Sequence, residues 1–143
     1  MTRIQHSTIL VYFLILSATV WGQKIYLYGG EQRDLMIGCI NCHELEASSI
    51  WNLQGDFGDA ASDLSIWNPS GTYGSEDSEY SPWNSQAAFP PIAKDEDGNE
   101  LGIFTVDYNA EPWAEFDLAL ILYDYYPAIR KNISKWYNKL FQL

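Results

Sequence analysis

The sequence predicts an α+β fold in which two β-hairpins flank a 16-residue Trp-Asn/Gly loop repeat and a C-terminal helical segment completes the domain. Three observations lead to this prediction. A tryptophan recurs with an exact period, at Trp51, Trp67 and Trp83; short β-branched and aromatic runs lie on both sides of the repeats; and an amphipathic stretch ends the chain. A fixed period that carries a large aromatic residue is typical of a structural unit that stacks on its own copies.

The repeats span about residues 49–90. Each copy opens on a Ser-x-Trp-Asn phrase, which contains the pairs Trp51 and Asn52, Trp67 and Asn68, and Trp83 and Asn84. The segment is too rich in Gly, Ser, Asp and Asn for long strands or helices, so short turns are expected. We expect the tryptophans to pack inward and each asparagine to bond the backbone two residues further on.

Both flanks of the repeats have the pattern of a hairpin. Residues 25–28 and 35–42 are apolar runs separated by glycines and a polar turn, and residues 92–93 and 101–106 form a comparable pair around a turn at 95–99. Gly38 and Gly102 are separated by four repeat periods. This spacing predicts two related hairpins in phase with the repeats.

The C-terminal helices are predicted over about residues 112–141. Pro112 marks the expected start, and composition favours a helix over residues 113–126, although alternating apolar residues there are also typical of a strand. Pro127 is expected to end this helix. From Ile129 to Phe141 the apolar residues recur on one face of a second helix. We expect that face to pack on the domain and the lysines of this helix to meet the acidic repeats; contact with a membrane surface is the less favoured alternative.

Residues 1–22 have the pattern of a secretory signal peptide. Arg3 precedes an apolar run from Ile9 to Trp21, and Val20 and Gly22 are small enough for cleavage before Gln23. The run is shorter than the about 20 residues that span a bilayer, and an uncleaved anchor is the alternative. Residues 23–143 are then predicted to be a single exported domain, periplasmic or extracellular.

The formal net charge of −11 argues against a nucleic acid partner, because an acidic surface repels phosphates. An aromatic content of 15% is too high for a disordered acidic tail. Carboxylates that recur in the repeats are candidate calcium ligands, with solvated turn residues as the other interpretation. The candidates are Asp56, Asp59, Asp63, Glu76, Asp77 and Glu79.

The segment Cys39-Ile40-Asn41-Cys42-His43 matches several patterns. CxxCH is the attachment motif of c-type haem, Cys39, Cys42 and His43 are also metal-ligand types, and CxxC occurs in thioredoxin-like redox proteins. We favour a disulfide, as expected for two cysteines in an exported chain. Met36 lies too close in sequence to ligate the opposite haem face. No cofactor is therefore predicted, and calcium is kept as a hypothesis.

Several phrases are specific enough to suggest a family: residues 35–42, 49–52, 71–75 and 78–84, and the turn at 97–102. They resemble small exported bacterial proteins of unassigned function that carry LGxLNxN and SIxN-YG-YGSxYS repeats. The resemblance covers about Tyr26 to Val106, and the first copy departs from it at residues 56–59. It implies no activity, cofactor or catalytic residue.

The function that the sequence favours is a non-catalytic extracytoplasmic binding or structural module, whose partner is an unknown protein or envelope component. His43 is the one histidine after the predicted signal, which limits nucleophilic sites, and no catalytic residue is predicted. Tyr80 and Tyr125 are candidates for stacking on sugars or partners. The alternatives are a CxxC-dependent redox or c-type haem protein and a small secreted hydrolase that uses carboxylates such as Asp107 and Glu111.

Overall fold

The computed structural model describes residues 22–142. It contains two hairpins followed by two helices, with strands β1 Ile25–Gly29, β2 Leu35–Cys39, β3 Ile92–Asp95 and β4 Glu100–Ile103, and helices α1 Asp117–Lys131 and α2 Ile133–Phe141. The predicted α+β class is confirmed. The predicted signal peptide, apart from Gly22, lies outside the described residues.

The four strands form one antiparallel sheet in the order β2-β1-β3-β4. At its centre Leu27 of β1 lies opposite Ala93 of β3, and both are fully buried. Each hairpin has a β-bulge beside a glycine with positive φ, Gly38 at 130° and Gly102 at 117°. A side chain is strained in this backbone conformation, so both positions require glycine.

The chain follows the same path after each bulge. Ile50 N–H donates to the Cys39 carbonyl (3.0 Å), and Ala114 N–H donates to the Ile103 carbonyl (2.9 Å). Ala114 lies four repeat periods after Ile50, and Ile103 lies four repeat periods after Cys39. The predicted phase relation between the hairpins is therefore present in the hydrogen bonds. Because the chain turns away from the sheet at these bonds, β2 and β4 end at Cys39 and Ile103, earlier than the sequence predicts.

Between the hairpins, residues 43–87 form a continuous row of β-turns, here termed the turn array. Asn52 N–H bonds to the Ser49 carbonyl (3.2 Å), Gly55 N–H to the Asn52 carbonyl (3.0 Å) and Asp59 N–H to the Gly55 carbonyl (3.0 Å). Four turns advance three residues and one advances four, so five turns complete one 16-residue coil. The turn array thus extends from His43 to Ala87, beginning before the predicted repeat boundary.

Small polar side chains cap the turns. Asn68 Oδ1 accepts from Ser70 N–H (3.0 Å) while its Nδ2 donates to the Ser62 carbonyl (3.0 Å). Asn52 and Asn84 make the corresponding pairs of bonds one coil earlier and later. The caps that the sequence predicts for the asparagines are therefore present. A side chain that bonds both ways satisfies backbone groups that no sheet or helix serves.

The tryptophans form the core of the turn array. Trp51, Trp67 and Trp83 are at most 3% exposed, and successive ring centroids lie 5.6 and 5.9 Å apart. The indole N–H of Trp67 donates to the Ile50 carbonyl (2.7 Å), and that of Trp83 to the Ile66 carbonyl (2.6 Å). Each tryptophan therefore joins its own coil to the preceding one.

The helices cover both ends of the tryptophan row. From α2, Tyr137 and Phe141 lie 5.9 and 5.6 Å from Trp51, and from α1, Tyr126 stacks on Trp83 at 4.4 Å. The apolar face of the C-terminal segment thus packs on the domain, as predicted. The helical lysines behave differently from the prediction, because the one ion pair among residues 22–142 is Lys24–Glu46 and none of these lysines pairs with an acidic residue of the repeats.

Two predictions about the first helix are wrong. α1 begins at Asp117 rather than near Pro112, because Ile103 N–H donates to the Pro112 carbonyl (2.7 Å) and holds the segment extended beside β4. The helix also continues through Pro127. Proline removes one helical hydrogen bond, but buried Ile129 and the stacked Tyr126 anchor the turns on either side. No helix within residues 22–142 is long and apolar enough to cross a membrane.

Candidate functional site

Cys39 and Cys42 are joined by a disulfide, and both are buried, with exposed fractions of 0% and 2%. The neighbouring His43 is exposed, and its Nδ1 accepts a hydrogen bond from Leu45 N–H (3.1 Å). The disulfide is compatible with an oxidising compartment. Haem attachment or metal binding would need the same two sulfur atoms that form the disulfide, and both interpretations stay hypotheses.

His43 occupies the position of a turn-capping aspartate. Asp107, four repeat periods further along the chain, accepts from Asn109 N–H (3.0 Å) just as His43 accepts from Leu45 N–H. Asp is a common residue for this cap because its oxygen reaches the backbone two residues on. The equivalent bond gives His43 a structural role independent of any ligand.

Replacing His43 with aspartate is expected to change the free energy of unfolding by less than about 0.5 kcal/mol, because the new carboxylate accepts the same bond. Replacement with alanine, which cannot accept it, is expected to cost about 1 kcal/mol. Urea denaturation of the two variants measures the difference. Equal losses for both would contradict the capping role.

Two of the predicted calcium ligands accept hydrogen bonds from backbone groups nine residues further along the chain. Asp63 Oδ1 accepts from Thr72 N–H (2.9 Å), and Glu79 Oε2 accepts from Ala88 N–H (3.0 Å). The two bonds have the same separation in sequence, and the two carboxylates stand one period apart. The two carboxylates therefore occupy equivalent positions of the repeat, and each accepts a hydrogen bond from a backbone N–H group.

The other four predicted calcium ligands are distributed around the array. Asp59 caps the turn at Ala61, Glu76 accepts from the Tyr126 hydroxyl (2.9 Å), and Asp56 and Asp77 are exposed. Over residues 22–142 no three His, Cys, Asp or Glu side chains are grouped closely enough to hold a metal ion. Calcium binding stays a hypothesis.

A clamp of Tyr126 and Arg130 fastens α1 to the turn array at Gly74 and Glu76. Arg130 Nη2 donates to the Gly74 carbonyl (2.5 Å), and its guanidinium lies 5.2 Å from the centroid of the Tyr126 ring. Burial lowers the pKa of Arg130, and burial together with the hydrogen bond to Glu76 raises the pKa of Tyr126. The contacts hold the helix across the repeats through aromatic and backbone interactions.

The first candidate surface, here termed the aromatic groove, has a volume of about 270 Å³ and is lined by Val106, Tyr108, Trp113, Leu120, Tyr123 and Asp124. The Trp113 indole N–H donates to the Thr105 carbonyl (2.8 Å), and the Tyr123 hydroxyl donates to the Ala114 carbonyl (2.7 Å). Burial raises the pKa of Tyr123. Because the indole N–H and the phenol hydroxyl already bond backbone carbonyls, the two rings contribute mainly apolar surface to the groove.

The second candidate surface, here termed the charged groove, has a volume of about 400 Å³. It lies between the turn of the first hairpin, the second hairpin and the segment after it, and is lined by Gln32, Arg33, Ile92, Lys94, Glu100, Gly102, Ile103, Glu111 and Pro112. Arg33 Nε donates to the Pro90 carbonyl (2.8 Å), and Lys94 Nζ lies 5.0 Å from the Tyr28 ring centroid. Both cations are thus held in place by neighbours.

Comparison with protein families, with characterised proteins and with solved structures finds no match to this chain. The resemblance of the repeat phrases to small exported bacterial proteins stays a hypothesis. Of the two tyrosines predicted to be exposed, Tyr125 is 49% exposed, whereas Tyr80 is partly buried and stacks on Phe89. The sequence prediction named neither groove as a site.

Proposed function

We propose that this chain is a non-catalytic extracytoplasmic binding module whose ligand contacts the aromatic groove. The observation that carries the proposal is the stacked pair of Trp113 and Tyr123, 5.3 Å apart, beside the 73% exposed ring of Tyr108 and the carboxylate of Asp124. Aromatic rings bind the apolar faces of ligands, and a nearby carboxylate accepts hydrogen bonds from hydroxyl groups. This combination suits the ring of a neutral sugar.

Two observations favour a binding module over the alternatives. A redox role needs a thiolate to reach the disulfide, and both sulfur-bearing residues are buried. Asp107, the carboxylate named for a hydrolase, caps a turn by accepting from Asn109 N–H. Asp59 and His43 cap turns at the same phase, so a structural role accounts for Asp107. The aromatic groove, in contrast, combines ring surface with the exposed residue Asp124, whose carboxylate makes no hydrogen bond within residues 22–142.

Nuclear magnetic resonance titration of the isotope-labelled protein with neutral oligosaccharides tests the proposal. We expect saturable shifts of the Trp113 indole N–H with at least one hexose or N-acetylhexosamine series. Tyr108→Ala, at an exposed position that should not affect folding, is expected to weaken binding at least about tenfold, equivalent to about 1.4 kcal/mol. Trp136→Ala on α2 is the control.

Two results would count against the proposal. The first is a titration in which no residue of the aromatic groove responds to any oligosaccharide. The second is a Tyr108→Ala variant that binds as tightly as the Trp136→Ala control.

A further inference from the structure

The charged groove contains the two basic residues of the described chain that lie outside the helices and form no ion pair. Residues 22–142 include seven lysines and arginines, of which four lie on α1 and α2 and Lys24 pairs with Glu46 (3.1 Å). The other two, Arg33 and Lys94, both line this one groove. Two cations at one site are unexpected in a protein of net charge −11.

Arg33 keeps its side chain at a conformational cost. Its φ is 50°, in the left-handed region that favours glycine, and its N–H closes a turn on the Gly30 carbonyl (3.1 Å). The equivalent residue of the second hairpin is Gly98, whose N–H closes the turn by donating to the Asp95 carbonyl. Its φ is 82°, in the same left-handed region. Glycine is thus the unstrained solution. The arginine that stands here instead bonds the Pro90 carbonyl through Nε and lines the charged groove.

Two carboxylates, those of Glu100 and Glu111, line the same groove as these cations. None of the four charged groups lies within 4.0 Å of an opposite charge, since Lys24–Glu46 is the one ion pair in the described part of the chain. The groove therefore holds separated positive and negative groups around a volume of about 400 Å³. That volume lies within the range of small-molecule sites.

We propose that the charged groove binds a zwitterion of the amino acid or short peptide class. The α-carboxylate of the ligand pairs with the Arg33 guanidinium, which suits carboxylates because its donors form a fork. The α-ammonium group lies towards Glu100 and Glu111. A polyanion such as a nucleotide is disfavoured, because the two carboxylates and the acidic surface of the protein repel it. A simple cation is disfavoured because it gives the Arg33 guanidinium no negative partner. This site is independent of the aromatic groove.

Titration of the isotope-labelled protein with alanine, Ala-Ala and Ala-Ala-Ala tests the site, with the amides of Gly102 and Ile103 as reporters. We expect saturable binding of at least one of the three, and the preferred length distinguishes a free amino acid from a peptide. N-acetylation or C-amidation of that ligand is expected to weaken binding at least tenfold, because each removes one terminal charge.

Arg33→Gly separates binding from folding. The variant relieves the left-handed backbone but loses the Arg33 Nε hydrogen bond to the Pro90 carbonyl, so its melting temperature is expected to stay close to that of the parent. It is expected to bind the best alanine ligand at least tenfold more weakly. Lys131→Gln, which removes an exposed cation from α1, is expected to bind as the parent does. Absence of binding by all three ligands, equal binding of the blocked forms, or full binding by Arg33→Gly would overturn the proposal.

Discussion

Replacing Trp67 with alanine is expected to lower the free energy of unfolding by about 3–5 kcal/mol, the range found when a buried tryptophan is truncated. Trp67 is fully buried between Trp51 and Trp83, and its indole N–H bonds to the Ile50 carbonyl. The variant therefore loses ring contacts on two sides and one bond between coils. Since a domain is stable by only about 5–15 kcal/mol, a substantial loss of folded protein is expected at physiological temperature.

Urea denaturation followed by far-ultraviolet circular dichroism measures this loss. Trp136→Ala is the matched control, because Trp136 lies on α2 with part of its ring exposed and outside the tryptophan row. We expect the control to lose at most about 1.5 kcal/mol. A Trp67→Ala variant no less stable than the control would contradict a core built on stacked tryptophans.

Replacing Gly58 with alanine is expected to destabilise the protein by about 3 kcal/mol or more. A Cβ at Gly58 overlaps the backbone carbonyl of Asn52, and a backbone atom cannot move aside as a flexible side chain can. The same overlap recurs one period later between Gly74 and Asn68. The glycine is required because two turns of one coil approach each other closely.

Gly55→Ala in the same coil is the control for Gly58→Ala. Its added Cβ lies 3.3 Å from the Ala47 carbonyl oxygen, and the residue two periods later is already Ala87. We expect a cost below about 1.5 kcal/mol. Denaturant midpoints of the two variants decide the matter, and equal midpoints would show that the close approach is not what selects glycine at position 58.

The sequence predicts the repeats well because their information is local. A tryptophan, a serine two residues before it and an asparagine directly after it recur at fixed spacing, and each makes its bonds within its own coil or the preceding one. Periodicity therefore predicts both the burial of Trp67 and the cap made by Asn68. The hairpins follow from equally local signals, a glycine turn between two apolar runs.

The sequence predicts poorly what depends on contacts between distant segments. Pro127 is a local signal to end a helix, and the packing of Tyr126 on Trp83 overrides it. Arg33 and Lys94 come together only because β1 pairs with β3, although the whole turn array lies between these strands in sequence. The sequence did contain one signal for this site, because Lys24, Arg33 and Lys94 are the only lysine or arginine residues between residue 23 and the first helix.

Hydrogen exchange of the indole N–H groups in the native protein tests the central claim most directly, namely that the periodic tryptophans form an internal scaffold. We expect the indole hydrogens of Trp51, Trp67 and Trp83 to exchange only through global unfolding, because each is buried and bonded to a backbone carbonyl. Trp136, partly exposed on α2, is expected to exchange much faster. Fast exchange at Trp67, at a rate close to that of Trp136, would contradict the account.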